Sequence, residues 1–367
     1  MGGHFTKWDA MKRWIGVALA AVLAGVVAVA IIIGNQGPGV TVVRGVIGSE
    51  KRPFFDDPRV KAAFAKHGLQ VEVDTAGSRQ IVTDVDLSRY AFAFPSSVPA
   101  AEKIKRDRRA TTTFSPFYSP MAVATFEPIA GLLAKVGVLT DSGKGYQTLD
   151  IKKYLELVAK GTRWDQIPGN SLYKARKRVL LTTTDIRTSN SAAMYLSALG
   201  YVANGEDVIS SDAQIAKIAP IVAPVVLDQG FSETTSEASF DDYLALGAGK
   251  TPMLVVYEAQ YLSHVFAADG AIKPDMRLVY PSPTVLSKHT LVPLAEPGTR
   301  VGRLLTEDPE LLALAAAHGF RTTNPRAFAD QVAKTGARAA ELVDVVEPPT
   351  YERLDKLITT VDAASRP

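Results

Sequence analysis

Along the chain, apolar positions fall into one long opening run and then into short runs separated by amphipathic segments. Residues 40–47 form a β-branched run with the character of a buried strand, and similar runs at 69–74, 90–94, 120–126, 179–183, 250–257 and 276–280 predict further strands. Between them, apolar residues recur at helical spacing over 58–67, which Gly68 ends, and over 128–136, where Pro128 suits a first helical turn. The same spacing predicts helices over 151–160, 189–200, 308–318, 325–335 and 351–361, with one helical turn at 78–82. Strands that alternate with helices predict an α/β fold with parallel sheets covered on both faces.

The opening run is of another kind. From residue 14 to residue 34 no charged side chain occurs, and about 20 apolar residues in a helix cross a bilayer core of roughly 30 Å. Lys7, Lys12 and Arg13 precede it and an uncharged NQGPG follows, which places residues 1–13 in the cytoplasm and the large domain outside. Ala28-Val29-Ala30 resembles a signal-peptidase site, but the apolar run continues through Ile33, beyond an ordinary signal core. The expectation is a retained transmembrane helix at 14–34 and a linker at 35–39. Cleavage would leave the same domain secreted.

At 367 residues the chain has room for two domains, and 41 basic against 38 acidic residues leave a net charge of +3. Such a balance does not predict nucleic acid as a partner. Cysteine is absent, which removes disulfides, thiol catalysis, cysteine metal sites and a lipid-anchored cysteine. None of the five histidines is spaced as a metal pair on a helix, so no metal and no cofactor is expected. A G-x-S-x-G nucleophile elbow is missing, which weighs against an exported hydrolase; no enzymatic role is expected.

In open α/β sheets ligands collect beyond the carboxyl ends of strands. The first strand is followed by Ser49, Glu50 and Lys51, the second by Gly77, Ser78 and Arg79, and the third by Ser96 and Ser97. Each turn also suits plain strand-to-helix geometry, but three in succession carry hydroxyls. The densest polar loop holds Thr184, Arg187, Ser189, Asn190 and Ser191 ahead of a predicted helix, where free N–H groups favour negative charge. Capping alone would need one of them. Phe126 with Glu127, and Tyr257 with Glu258, place an aromatic and a carboxylate at two further strand ends. Lys51, Arg79 and Arg187 favour an anionic ligand; Glu127 and Glu258, if turned inward, favour a sugar, peptide or cation.

In order and local character, GSEK at 48–51, AGSRQI at 76–81, FPSS at 94–97, MAVATFEPIA at 121–130, TTTDIRTSNSAAMYL at 182–196, VVYEAQYL at 255–262, LVYPSPTVLSKHTLVPL at 278–294 and HGFRT at 318–322 resemble the type II periplasmic solute-binding proteins of ABC importers. The resemblance implies two lobes, with 40–124 and 275–367 in the first and 125–274 in the second, hinged at 120–126 and 276–283. It implies a small-molecule ligand taken up in the cleft and an ABC permease as partner. A membrane-tethered sensor or assembly protein on the same fold is the alternative.

Overall fold

The computed structural model describes residues 40–230, 232–341 and 344–364. The predicted cytoplasmic segment 1–13, membrane helix 14–34 and linker 35–39 lie outside these residues. Among the described residues no helix is long and apolar enough to cross a membrane.

Val43, Val46 and Ile47 bury one strand, β1 (Thr41–Ile47), which pairs in parallel with β2 (Leu69–Thr75) on one side and β3 (Phe92–Phe94) on the other. Three parallel neighbours must end on the same edge of the sheet, so the turns after Ile47, Thr75 and Phe94 come together. Their core contains a ring cluster of Phe54, Phe55, Phe64, Phe92, Phe94 and Phe117, all buried.

The chain then leaves this lobe through the long strand β4 (Phe114–Phe126). Its first half pairs with β9 (Thr284–Pro293) as far as Pro120; from Met121 onward its partners are β7 (Met253–Tyr257) and β8 (Met276–Ser282). The second lobe is completed by β5 (Leu139–Asp141) and β6 (Gln147–Asp150), giving the order β2-β1-β3-β9-β4-β8-β6-β5. Two short strands close the edges: β10 (Arg321–Thr322) pairs β4, and β11 (Val345–Val346) pairs β9. The architecture is the expected two-lobed α/β fold, but its sheets are mixed rather than parallel, because β9 runs antiparallel to β3 and β4, and β4 antiparallel to β7 and β8.

Several expectations shift. Residues 179–183 make only an isolated parallel bridge, Thr182 to Leu254, in place of a full strand. β8 belongs to the second lobe, so the return crossing comes at Thr284, later than the boundary expected at 275. The C-terminal helices do not all return to the first lobe either. Helix Pro309–Ala317 does, but Phe328, Leu354, Leu357 and Val361 join the core of the second, because helix Tyr351–Ala363 packs along Asp212–Leu227.

Candidate functional site

The three strand-end turns of the first lobe face the N-termini of two long helices of the second. These are Asn190–Ala203 and Ser236–Lys250, and among the residues around the shared space are Ser49, Glu50, Gly77, Ser78, Ser189, Asn190, Thr235, Ser236 and Tyr257. The enclosed volume is small, about 10 Å³. The lobes touch directly across it. Ser49 Oγ lies 3.5 Å from Ser236 Oγ, Asn190 Nδ2 donates to Ser96 O at 3.2 Å, and the Arg79 amide donates to Thr188 O at 3.2 Å.

The helix Asn190–Ala203 begins without a side-chain cap. Ser189 Oγ instead lies 3.0 Å from Ser191 Oγ, which is 2.8 Å from Thr184 Oγ1. The hydroxyls therefore pair with one another and leave the first-turn N–H groups, which have no intrahelical acceptor, directed at the cleft. Capping does not account for this loop. Asn190 is a bridge as well, since Nδ2 also meets Tyr257 OH at 3.0 Å and Ser287 Oγ at 3.4 Å.

Behind these turns lies a buried charge cluster. Lys51, wholly buried, directs Nζ to Glu50 Oε1 at 2.5 Å and Ser96 Oγ at 2.9 Å, and its ammonium sits 4.9 Å from the centre of the Phe94 ring. His289 Nδ1 lies 3.3 Å from Lys51 Nζ and 3.2 Å from Glu50 Oε1, while His289 Nε2 is buried without a partner. Burial alone would raise the Glu50 carboxyl, but the Lys51 charge and the His289 contact outweigh it and hold it well below the usual range. Burial first, and then the Lys51 charge, push His289 down to about 4. Burial likewise lowers Lys51, with Glu50 opposing it. Burial and the nearby Glu50 charge keep the Tyr257 phenol protonated far above its ordinary range. The wall of the cleft is thus a neutralised pair with protonated and dipolar groups in front of it.

Of the residues singled out in the sequence, Ser49, Glu50, Gly77, Ser78, Ser189, Asn190 and Tyr257 line the cleft; Ser96 and Ser191 stand directly behind them, bonded to its lining. Thr184 supports Ser191, and Ser97 is buried at the start of helix Val98–Arg108. Lys51 belongs to the cluster but spends its donors inside its own lobe. Four assignments do not hold. Phe126 packs 4.9 Å from the Tyr243 ring in the second-lobe core, and Glu127 is an exposed partner of Arg277 at 2.5 Å on a different face. Glu258 is fully buried but accepts from Arg321 Nε and Nη2 at 2.7 and 2.9 Å and from Tyr280 OH at 2.7 Å, which leaves it no ligand. Arg187 turns outward onto Asp185; only its backbone carbonyl faces the other lobe, accepting from Arg79 Nε at 3.2 Å. Arg79 itself is committed to Asp355.

Thr235, Ser236, Ser287 and His289 were not anticipated. The first two open a helix whose start carries no apolar periodicity. Ser287 and His289 alternate on β9, a spacing that puts both on one face of a strand.

Two sheets exchanging strands at β4 and β9, with a narrow, nearly shut cleft between them, define the fold of the type II periplasmic binding proteins. Solved structures agree with it. The chain aligns with the sulfate-binding protein SubI from Mycobacterium tuberculosis at 15% identity and a TM-score of 0.52, covering 88% of this chain and 99% of that one. It aligns with an ABC transporter substrate-binding protein from Bradyrhizobium japonicum at 13% identity and a TM-score of 0.53, covering 88% and 99%. Iron-bound HitA from Pseudomonas aeruginosa matches at 10% identity and a TM-score of 0.52, covering 89% and 99%. At such identities the likeness establishes the fold. No protein-family model matches the sequence, and no curated protein matches it either.

Proposed function

We propose that this chain is a solute-binding protein that captures a small oxyanion between its lobes. The observation that carries the reading is the meeting of the uncapped N-terminus of helix Asn190–Ala203, and of the Thr235-capped start of helix Ser236–Lys250, with two Gly-Ser turns, in a cleft whose one lysine is already paired. Backbone N–H groups at helix starts, together with hydroxyls, bind anions without a cationic side chain. Entry of a four-oxygen ion requires the lobes to part slightly and the hydroxyl pairs Ser49–Ser236 and Ser189–Ser191 to exchange partners. The ligand then replaces contacts that now run from lobe to lobe, and it favours the shut form by its differential affinity. Reading residues 14–34 as a retained helix makes this an extracytoplasmic, membrane-tethered receptor. It would hand its ligand to an ABC permease in the same membrane.

The test is thermal unfolding of the full chain in mild detergent with sulfate, phosphate and molybdate, and with sugars and amino acids as controls. A ligand at a hundred times its Kd stabilises by about 2.7 kcal/mol. An oxyanion should raise Tm in the wild type and fail to do so in Ser191→Ala and Asn190→Ala. A sugar that shifts Tm where no oxyanion does would overturn the reading.

A further inference from the structure

A second crevice adjoins the oxyanion cavity, shares Glu50 with it, and has a volume of about 150 Å³. It too lies between the lobes, but its chemistry is different. Phe54 and Phe320 from the first lobe and Phe240 from the second give it aromatic walls, and Glu237 and Asp241 add two carboxylates to Glu50. Glu50 is balanced by Lys51, whereas the half-buried Glu237 and the exposed Asp241 have no hydrogen-bond or ion-pair partner among the described residues. Arg52, whose charge reaches Glu237, is already paired with Asp56 at 3.2 Å. Both imidazoles at the edge are also engaged, His318 with Asp57 at 2.9 Å and His264 with Asp269 at 2.6 Å.

Glu237 and Asp241 stand one turn apart on helix Ser236–Lys250, a spacing at which like charges repel. Burial, and then the charges of Asp241 and Glu50, disfavour ionisation of Glu237 against the pull of Arg52. Unpaired carboxylates bordering aromatic faces are the surroundings in which an organic ammonium is held, by charge and by the ring quadrupoles together. The two sites are joined through the chain itself, because Ser236 borders the oxyanion cavity and the next residue, Glu237, borders the crevice.

We propose that the ligand is a small zwitterion whose oxyanion end sits among the helix N-termini and whose ammonium end occupies the aromatic–carboxylate crevice beside Glu237 and Asp241. This rests on the oxyanion reading and narrows it from an inorganic ion to an amine-bearing phosphonate, phosphate ester or sulfonate.

Calorimetry on the full chain in detergent tests it, with aminoalkylphosphonates of two- to four-carbon tether compared against alkylphosphonates of equal length, and with inorganic phosphate and sulfate. The best aminoalkylphosphonate should bind at least about tenfold tighter than its alkyl counterpart. The double variant Glu237→Gln/Asp241→Asn should shrink that ratio below about threefold by weakening the amine-bearing ligands alone. Equal affinity for the amine and alkyl series, or a preference that survives the double variant, overturns the proposal while leaving the oxyanion reading standing. Failure of every phosphonate and of both inorganic ions overturns the two together.

Discussion

Gly77 is where closure can be tested with a single carbon atom. Its backbone, at φ −60° and ψ 140°, suits alanine, so substitution strains nothing within the first lobe. A Cβ there would lie 2.3 Å from the backbone oxygen of Thr188, which belongs to the second lobe. A carbonyl fixed ahead of a helix cannot step aside as a side-chain tip can, so the lobes must separate. Overpacking of this kind costs about 1–3 kcal/mol. Separation also weakens the two bonds from Arg79 to the Thr188 and Arg187 carbonyls, each 3.2 Å long and each worth about 1 kcal/mol. A total of about 2–4 kcal/mol against the shut form corresponds to a loss in apparent affinity of roughly 30- to 700-fold. Gly77→Ala should therefore bind oxyanions far more weakly by calorimetry and show a larger radius of gyration by small-angle scattering. Its Tm without ligand should stay within a few degrees of wild type. Wild-type affinity together with unchanged dimensions would refute the proposed closure geometry.

The buried cluster predicts acid sensitivity. His289 takes up a proton near 6.5 when unfolded but only at about 4 in the native protein, so stability is full above 6.5 and is lost as pH falls toward 4, by on the order of 3 kcal/mol. His289→Gln should flatten urea-derived stability across that window; an unchanged slope refutes the assignment. Glu258→Gln, which breaks a buried pair with Arg321 and Tyr280, should cost about 3 kcal/mol yet leave oxyanion Kd within about threefold, and a selective loss of binding would return Glu258 to the cleft. Arg187→Ala removes an exposed pair with Asp185 and should change both stability and affinity by less than about 1 kcal/mol. With no uncompensated cation at the site, inert salt between roughly 0.05 and 0.5 M should alter oxyanion affinity less than about threefold; a tenfold weakening would reveal a charge that the geometry does not contain.

The fold was legible where pattern and local geometry agree. The runs at 40–47, 69–74 and 90–94 became three adjacent parallel strands, and parallel pairing alone brings their Ser-bearing turns to one edge. It was obscured by proline. The stretch from Lys103 to Pro120 reads as a charged, proline-marked break, but it contains the basic C-terminal turn of helix Val98–Arg108, where cations favour the helix dipole, and the first half of β4. Pro120 falls where β4 gives up β9 and takes β7 and β8, a change of partner that a residue without an N–H tolerates. Pro220 and Pro224 hid helix Asp212–Leu227 in the same way, although both sit inside it and the apolar face around Ile215, Ile218, Val222 and Val225 remains buried.

Charge was the least legible property of the site, because a sequence states which groups are ionised and not which of them cancel. Lys51 follows Glu50 directly, yet adjacency did not predict a buried pair; the pairing needs Ser96 and His289, 45 and 238 residues away in the chain, to make burial of both ions tolerable. Arg187 is neutralised by Asp185 two residues earlier, Arg79 by Asp355 near the C-terminus, and Glu258 by Arg321. Once these pairs are removed, the three cations that suggested an anion all drop out, and so do both carboxylates that argued against it, Glu258 by this pairing and Glu127 by its pairing with Arg277 on another face. What still favours an anion is the part of the chain that carries no formal charge, the uncapped first turn of helix Asn190–Ala203 and the hydroxyls of Ser49, Ser78, Ser189 and Ser236, whereas the amides of Gly48, Gly77 and Ser189 already donate to Phe94 O, Gln80 Oε1 and Asp185 O. Their direction is fixed by helix starts and strand ends. The same cancellation leaves Glu237 and Asp241 conspicuous: with nearly every other charge around the cleft matched inside the protein, the two that are not are the ones most open to a partner from outside it.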